Sequence, residues 1–465
     1  MLAPEAGHAP RVEPRALPDG SLGRQPARQS LLIGALFGGL FVWWGLGVGG
    51  FIPALFAVPL LASIGLRGRM LMPRAYLLWL AFLAWVSLSA IGIHDFERWV
   101  SFAWRGSLYV TAGLLFIYVF NGSRSKLTTR TMVLILAAFW VQTVLGGFAG
   151  MVLPSLSFPT PMEMILPSNL LSNQFVHDLV HATTAATHAF SGTGIHRPKV
   201  PFIYSNQWGS TFALTLPFAI ASLPMLRRGI WRTGMLALLV VSIVPLVVSF
   251  DRGSWLSVAV SMGYATFRLA ARGSRRAFRT ALAMVVGTIL AGVVLLATPL
   301  GDLVVLRLNS GYGDSTRAIL YESSVRAVLQ SPILGYGTPV SVSLVNPSTG
   351  VAPSAGTHGQ FWTVLVSQGI PGIVFFGGWF VMALFKSGRR ISPRGRGDPD
   401  TRFWAHVCIA AGLVQMAYYE LLPWGLPIMM IAAALAWREA RVEGPLGPPG
   451  WRVPQRTVIR RASIL

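Results

Sequence analysis

The chain has 465 residues, a formal net charge of +22, and 53% hydrophobic against 12% charged residues. A soluble protein carries about 25% charged residues, so this composition excludes an ordinary soluble enzyme, and the mean hydropathy of +0.58 points to a membrane protein. The arginines cluster between apolar runs, as cytoplasmic loops do against anionic lipid, which argues against a nucleic-acid partner; the single cysteine, Cys408, excludes an internal disulfide and a cysteine metal centre.

Residues 1–30 are polar, Pro-rich and Arg-bearing, which predicts a disordered basic cytoplasmic tail without a cleavable signal peptide. Apolar runs follow at about 31–48, 51–66, 75–93, 101–120, 131–152, 210–225, 233–250, 254–271, 280–298, 370–385, 403–420 and 424–437. Runs of about 17–25 residues cross a hydrocarbon core of about 30 Å as helices. The ten-residue alternating strands of an outer-membrane barrel are absent. The expected fold is therefore an all-α polytopic membrane bundle of about twelve helices over residues 31–438, followed by a basic cytoplasmic tail at 439–465. Only Gly49 and Gly50 part the first two runs, which read equally as a tight hairpin or as one long helix.

Charge orients the map. With both termini inside, just eight of the 38 lysines and arginines fall outside: Arg98, Arg105, Arg197, Lys199, Arg252, Arg307, Arg317 and Arg326. Cytoplasmic loops carry such an excess of basic residues, and one missing or extra span would invert half of it. Two outer loops are long, about 153–209 and 299–360, and loops of that length usually carry function. The first is expected to hold a surface helix near 168–190. In the second, DSTRAILYESSVRAVLQSP predicts a helix starting at Asp314 or Ser315 and stopping before Pro332.

Several residues invite chemistry. Arg252 opens a span in SFDRGSW, where an arginine is costly unless it is paired or lines a wet cavity. Arg317 sits in the first turn of the loop helix, where the dipole prefers an anion to a cation, so a docked anion would explain it. His358, in THGQFWTVLVSQGIPG, lies at the outer membrane rim and titrates near neutrality. Asn206 in SNQWG offers an amide at the outer start of a span. Arg98 and Tyr336 are further substrate-binding candidates. HDLVH (His177 to His181) spaces two histidines as zinc sites do, but it lacks the Glu of HExxH and no third ligand is marked. DFE (Asp95 to Glu97) reads as a helix start or a weak acidic metal motif. No metal and no cofactor is expected at the site.

The order SNQWG, SFDRGSW, DSTR, SPILGYG and THGQFWTVLVSQGIPG resembles the O-antigen ligase and polymerase superfamily over about residues 200–385. Asp251 stands where that family commonly has serine, and Gly359 where it usually has asparagine. The resemblance implies a C-type glycosyltransferase-like helical bundle in the bacterial inner membrane. It implies transfer of a glycan from a polyprenyl (undecaprenyl) diphosphate to a sugar hydroxyl on the outer face, inverting and metal-independent. The partners would be the lipid-linked glycan donor, a glycan or glycolipid acceptor, and membrane lipid. Arginines can stabilise a diphosphate leaving group as a metal does; Arg252 and Arg317 would clamp it, and His358 would accept or orient the hydroxyl proton. A polysaccharide polymerase of the same superfamily and a non-enzymatic lipid-linked-glycan flippase or transporter remain as alternatives.

Overall fold

A computed structural model describes residues 26–67, 70–123, 126–189, 194–271, 275–309, 314–341, 354–356, 358–388 and 399–439. The chain runs through α1 (Pro26–Gly38), α2 (Leu40–Gly45), α3 (Ile52–Leu55), α4 (Ala57–Gly65), α5 (Leu77–Ser89), α6 (Phe96–Phe120) and α7 (Thr129–Val152). The first long loop then carries α8 (Pro161–Ile165), α9 (Ser168–Leu171) and α10 (Gln174–Val180). Next come α11 (Ser205–Ser222), α12 (Ile230–Val241), α13 (Ile243–Val248), α14 (Arg252–Ala270) and α15 (Arg275–Leu296). The second long loop holds α16 (Pro299–Asn309) and α17 (Asp314–Gln330), and α18 (Gln360–Gly388), α19 (Pro399–Gln415) and α20 (Gly425–Glu439) close the chain.

Five of these stretches are long and apolar enough to cross a membrane: Arg74–Gly92, α6, α7, Ile230–Val248 and α18. Shorter apolar helices lie at Gln29–Gly38, Ile52–Gly65 and Gly425–Arg438. The architecture is that of an all-α membrane protein. α20 is apolar all round, and residues 426–436 are buried throughout, as expected for a helix without a polar face. It packs against α6, α11, α18 and α19. Aromatic edges fill the space beside it, with Trp379 meeting Tyr76, Phe116 and Trp437 at 4.9–5.5 Å between ring centroids.

Two expectations need correcting, and one question left open by the sequence is decided. Helix α1 begins at Pro26, inside the stretch assigned to the tail; proline fits a first helical turn, whose N–H groups lack intrahelical partners anyway. The first two apolar runs are divided by a turn at 46–51, where Gly47 has φ +77°. A Cβ there would meet Thr160 Oγ1 at 2.1 Å, so the loop packed beneath forces the break. The single surface helix near 168–190 is also broken. Asn173 caps a fresh helix by accepting from Phe175 and Val176 N–H, and after Val180 the chain turns into strand. There, Ala182–Thr183 pairs antiparallel with Ser157–Phe158, and Ala185–Ala189 with His196–Pro198. Threonines at 183 and 184 favour that change. The predicted loop helix does form, as α17.

Arginines bind backbone carbonyls at one end of the bundle. Arg67 donates to Tyr118 O, Arg130 to Met225 O, Arg268 to Gly388 O, Arg402 to Lys386 O, and Arg438 to Leu127 O. Each bond joins two segments that the charge map puts on one side.

Candidate active site

The site is built on a strained elbow at the start of α14. Phe250 is buried with φ +50°, the left-handed region that costs a bulky side chain about 1–3 kcal/mol. The elbow persists because its neighbours hold it. Arg307, itself buried, donates to Phe250 O at 2.8 Å, and Arg197 donates to Ser249 O at 2.6 Å. Asp251, at the N-cap of α14, does not cap the helix with its side chain. Its carboxylate is buried and accepts from Tyr419 OH. Arg252, half-buried, follows directly in the first turn of α14.

Close approach sets the helices around this elbow. A Cβ on Gly209 of α11 would meet Asp251 Oδ2 at 2.6 Å, and one on Gly253 would meet Tyr419 OH at 2.3 Å. Small residues let membrane helices pack this tightly. Asn206 lies one turn before Gly209 on the same helix face, and its Oδ1 is buried with no hydrogen-bond partner among the described residues. A buried amide oxygen left so is an acceptor awaiting a ligand or a water.

His358 is exposed and precedes α18 by two residues. Gly359 follows at φ +130°, where a Cβ would meet Ala417 O at 2.7 Å. This explains glycine at that position: the backbone runs against the 416–421 turn. Gln360 N–H donates to Tyr419 O at 2.7 Å, Phe361 N–H to Met416 O at 2.8 Å, and Leu421 N–H to Gln360 Oε1 at 3.1 Å. One tyrosine thus pins both motifs, holding Asp251 with its hydroxyl and the His358 turn with its carbonyl. Behind it, Arg105 of α6 pairs with Glu420, and Tyr109 OH accepts from Gln360 Nε2 at 3.0 Å.

Arg98 and Tyr336 come together elsewhere. Arg98 donates to Tyr336 O and to Thr338 Oγ1, so it anchors the SPILGYG turn to the start of α6. Tyr336 OH reaches Gln330 Oε1 at 3.2 Å. The turn lies against residues 366–369 of α18, roughly 10 Å along the helix from its start. The glycines there serve packing: Gly335, Gly337 and Gly369 all have positive φ, and a Cβ on Gly369 would meet Ile333 O at 2.2 Å. Arg317 lies in the first turn of α17, but its side chain is outside the described residues. Asp95 is the N-cap of α6 and is largely exposed; DFE is a helix start.

Residues 235–377 match the O-antigen ligase family. That segment runs from α12 into α18, and its match supports the resemblance to the O-antigen ligase superfamily. The match contains Arg252, Arg317 and His358; Arg98 and Asn206 precede it. At the coarse level that family implies a membrane enzyme of the glycosyl-transfer type that works with a lipid-linked glycan and a glycan acceptor. No curated protein matches the chain.

Sequence reasoning missed Tyr419, Gln360, Arg307, Arg197 and the Arg105–Glu420 pair as parts of the site. A signal existed in the acids, since Asp251 and Glu420 sit near outer span ends in a chain with few of them, but nothing local named their partners. A small cleft of about 20 Å³ is lined by Trp44, Asp178, His181, Lys199, Phe202 and Trp424 among others. Burial pushes the Lys199 amine below its ordinary range, with Asp178 opposing the shift.

Proposed function

We propose that the chain transfers a glycan from a polyprenyl diphosphate to a sugar hydroxyl at the outer face of the cytoplasmic membrane. The supporting observation is that the Arg252 elbow and the His358 turn, both within the family-matched residues, are pinned on one residue beyond them, Tyr419. The acceptor oxygen attacks the anomeric carbon on the face opposite the diphosphate and inverts it. The bond from that carbon to the diphosphate breaks, and the charge left on the departing oxygens falls to Arg252 and Arg317. His358 takes the hydroxyl proton or orients it. Arginine forks suit a diphosphate and need no divalent metal at the reacting centre.

In this reading about twelve spans cross the inner membrane with both termini in the cytoplasm. The carbonyl-binding arginines at one end of the bundle, and the separate group of Arg105, Arg197 and Arg307 at the elbow end, support that orientation. The apolar sides of the bundle would admit the polyprenyl tail.

The test uses purified full-length protein in detergent with a polyprenyl-diphosphate glycan. The expected result is release of polyprenyl diphosphate with equimolar extension of an acceptor. Offering lipid A-core and a second lipid-linked glycan as acceptors separates ligase from polymerase. Donor binding without turnover on either acceptor would overturn the enzyme reading in favour of a transporter.

A further inference from the structure

The first long loop contains a cluster that the transfer reaction does not use. Glu163 on α8, with His177 on α10 and His181 just after it, place one donor atom each within 4.8 Å of one another. They are the only such group of three His, Cys, Asp or Glu among the described residues. The loop thus supplies the third ligand that HDLVH lacks in sequence. Glu163 Oε2 lies 2.8 Å from His181 Nδ1, and Glu163 Oε1 lies 3.7 Å from His177 Nε2. Donors around a tetrahedral zinc with bonds of about 2.1 Å stand roughly 3.4 Å apart, and the three donor atoms here, all within 4.8 Å of one another, reach that spacing by small side-chain shifts.

Both arms are held in place without a metal. Thr160 and Glu163 form a capping box, and the buried Thr160 hydroxyl donates to Val180 O at 2.6 Å, binding α8 to the end of α10. His181 carries the outer support that ligating histidines usually have: its Nε2 lies 2.8 Å from Ser157 Oγ. With Nδ1 on a metal, the ring proton sits on Nε2 and donates to that hydroxyl. The two imidazoles stack at 4.9 Å with 15° between planes, both turned to one carboxylate. Two nitrogens and one oxygen suit zinc and disfavour magnesium or calcium, which take oxygen ligands.

We infer that Glu163, His177 and His181 bind a zinc ion that clasps α8 to α10 within the first outer loop. The three side chains are partly exposed, His177 most at 39%, so an ion can enter and a water can complete the coordination. No step of glycan transfer passes through this ion, and the inference stands independently of the proposed activity.

The test uses full-length protein in detergent, prepared without a polyhistidine tag, stripped with chelator and titrated with Zn²⁺ or Co²⁺. One equivalent of zinc should bind per chain near neutral pH, and Co²⁺ should give a tetrahedral absorption spectrum. Glu163→Gln and His177→Ala should each weaken binding at least about tenfold, and Ser157→Ala about ten- to a hundredfold. Gln174→Ala, on the same helix outside the triad, should keep full zinc content. Binding should weaken on acidification, as protons compete for the imidazoles. Chelation should speed proteolytic cutting between residues 160 and 185. His177 is exposed enough that its variant reports on the ligand even where a change at His181 disturbs folding. No zinc bound by the monodisperse parent at micromolar metal would overturn the inference, as would unchanged stoichiometry in both Glu163→Gln and His177→Ala, or full displacement by millimolar Mg²⁺.

Discussion

In the proposed reaction Arg252 and His358 act by different means, and substitution should separate them. Arg252 acts by charge and fork geometry, so Arg252→Lys should keep some turnover while Arg252→Ala loses about a hundred- to a thousandfold in rate, as when one donor to a developing charge is removed. Arg317 should follow the same pattern. His358→Gln should abolish most transfer while leaving donor binding nearly intact. Parental activity should fall as the pH drops below neutrality, because a protonated imidazole cannot accept the hydroxyl proton. Separate measurements of donor affinity and single-turnover rate check both; a His358→Gln enzyme with parental turnover would remove the proton-transfer role. Both residues were proposed from sequence because each sits in an expensive or titratable position at a span rim. Tyr419 was not, since its hydroxyl meets Asp251 across 168 residues of chain. Tyr419→Phe should destabilise the elbow by about 1–3 kcal/mol, the cost of a buried carboxylate losing a donor, and the same change should appear in the thermal midpoint and in Arg252-dependent turnover.

Helices legible from hydropathy periods and stop signals formed where expected, α17 most plainly, with its start at Asp314 and its end at Gln330. The loop helix near 168–190 failed as one element because its backbone bonds are competed for locally, by the Asn173 cap and by pairing to 157–158. α18 is interrupted at Gly369, the first residue of Gly-Ile-Pro-Gly, with φ +66° and ψ −168°. Gly369, at φ +66°, lets the backbones of 332–337 and 366–370 touch: Ile370 N–H donates to Pro332 O at 2.8 Å and Gly337 N–H to Ser367 O at 2.7 Å. Gly369→Ala adds a Cβ 2.2 Å from Ile333 O at a conformation that L residues resist. It should lower stability by about 1–3 kcal/mol, read as a lower thermal midpoint in detergent, while Gly378→Ala on the same helix, with only a methyl of Leu78 at 3.8 Å, should be near neutral.

Across the whole molecule, the orientation is open to labelling. In a Cys408→Ala background, Tyr312→Cys and Ala355→Cys should react with an impermeant maleimide in intact spheroplasts, and Arg394→Cys should react only after lysis. Labelling at 394 alone would reverse the topology and place the arginine–histidine site in the cytoplasm, away from any outer acceptor.

The sequence by itself determined the membrane class, the helical character, the alternation of basic loops and the motif order, because each depends on local composition: hydrocarbon excludes unpaired backbone and charge wherever they occur along the chain. Tertiary structure alone decided which motifs meet. Asp251 and His358 lie far apart in the chain, and only packing of α14 and α18 against α19 brings them to Tyr419, beside Glu420. The same holds for Glu163, which joins His177 and His181 because strand pairing and a threonine cap fold the first loop back on itself. Pairing at such separations costs loop-closure entropy that only the assembled bundle offsets, so no window of sequence displays it.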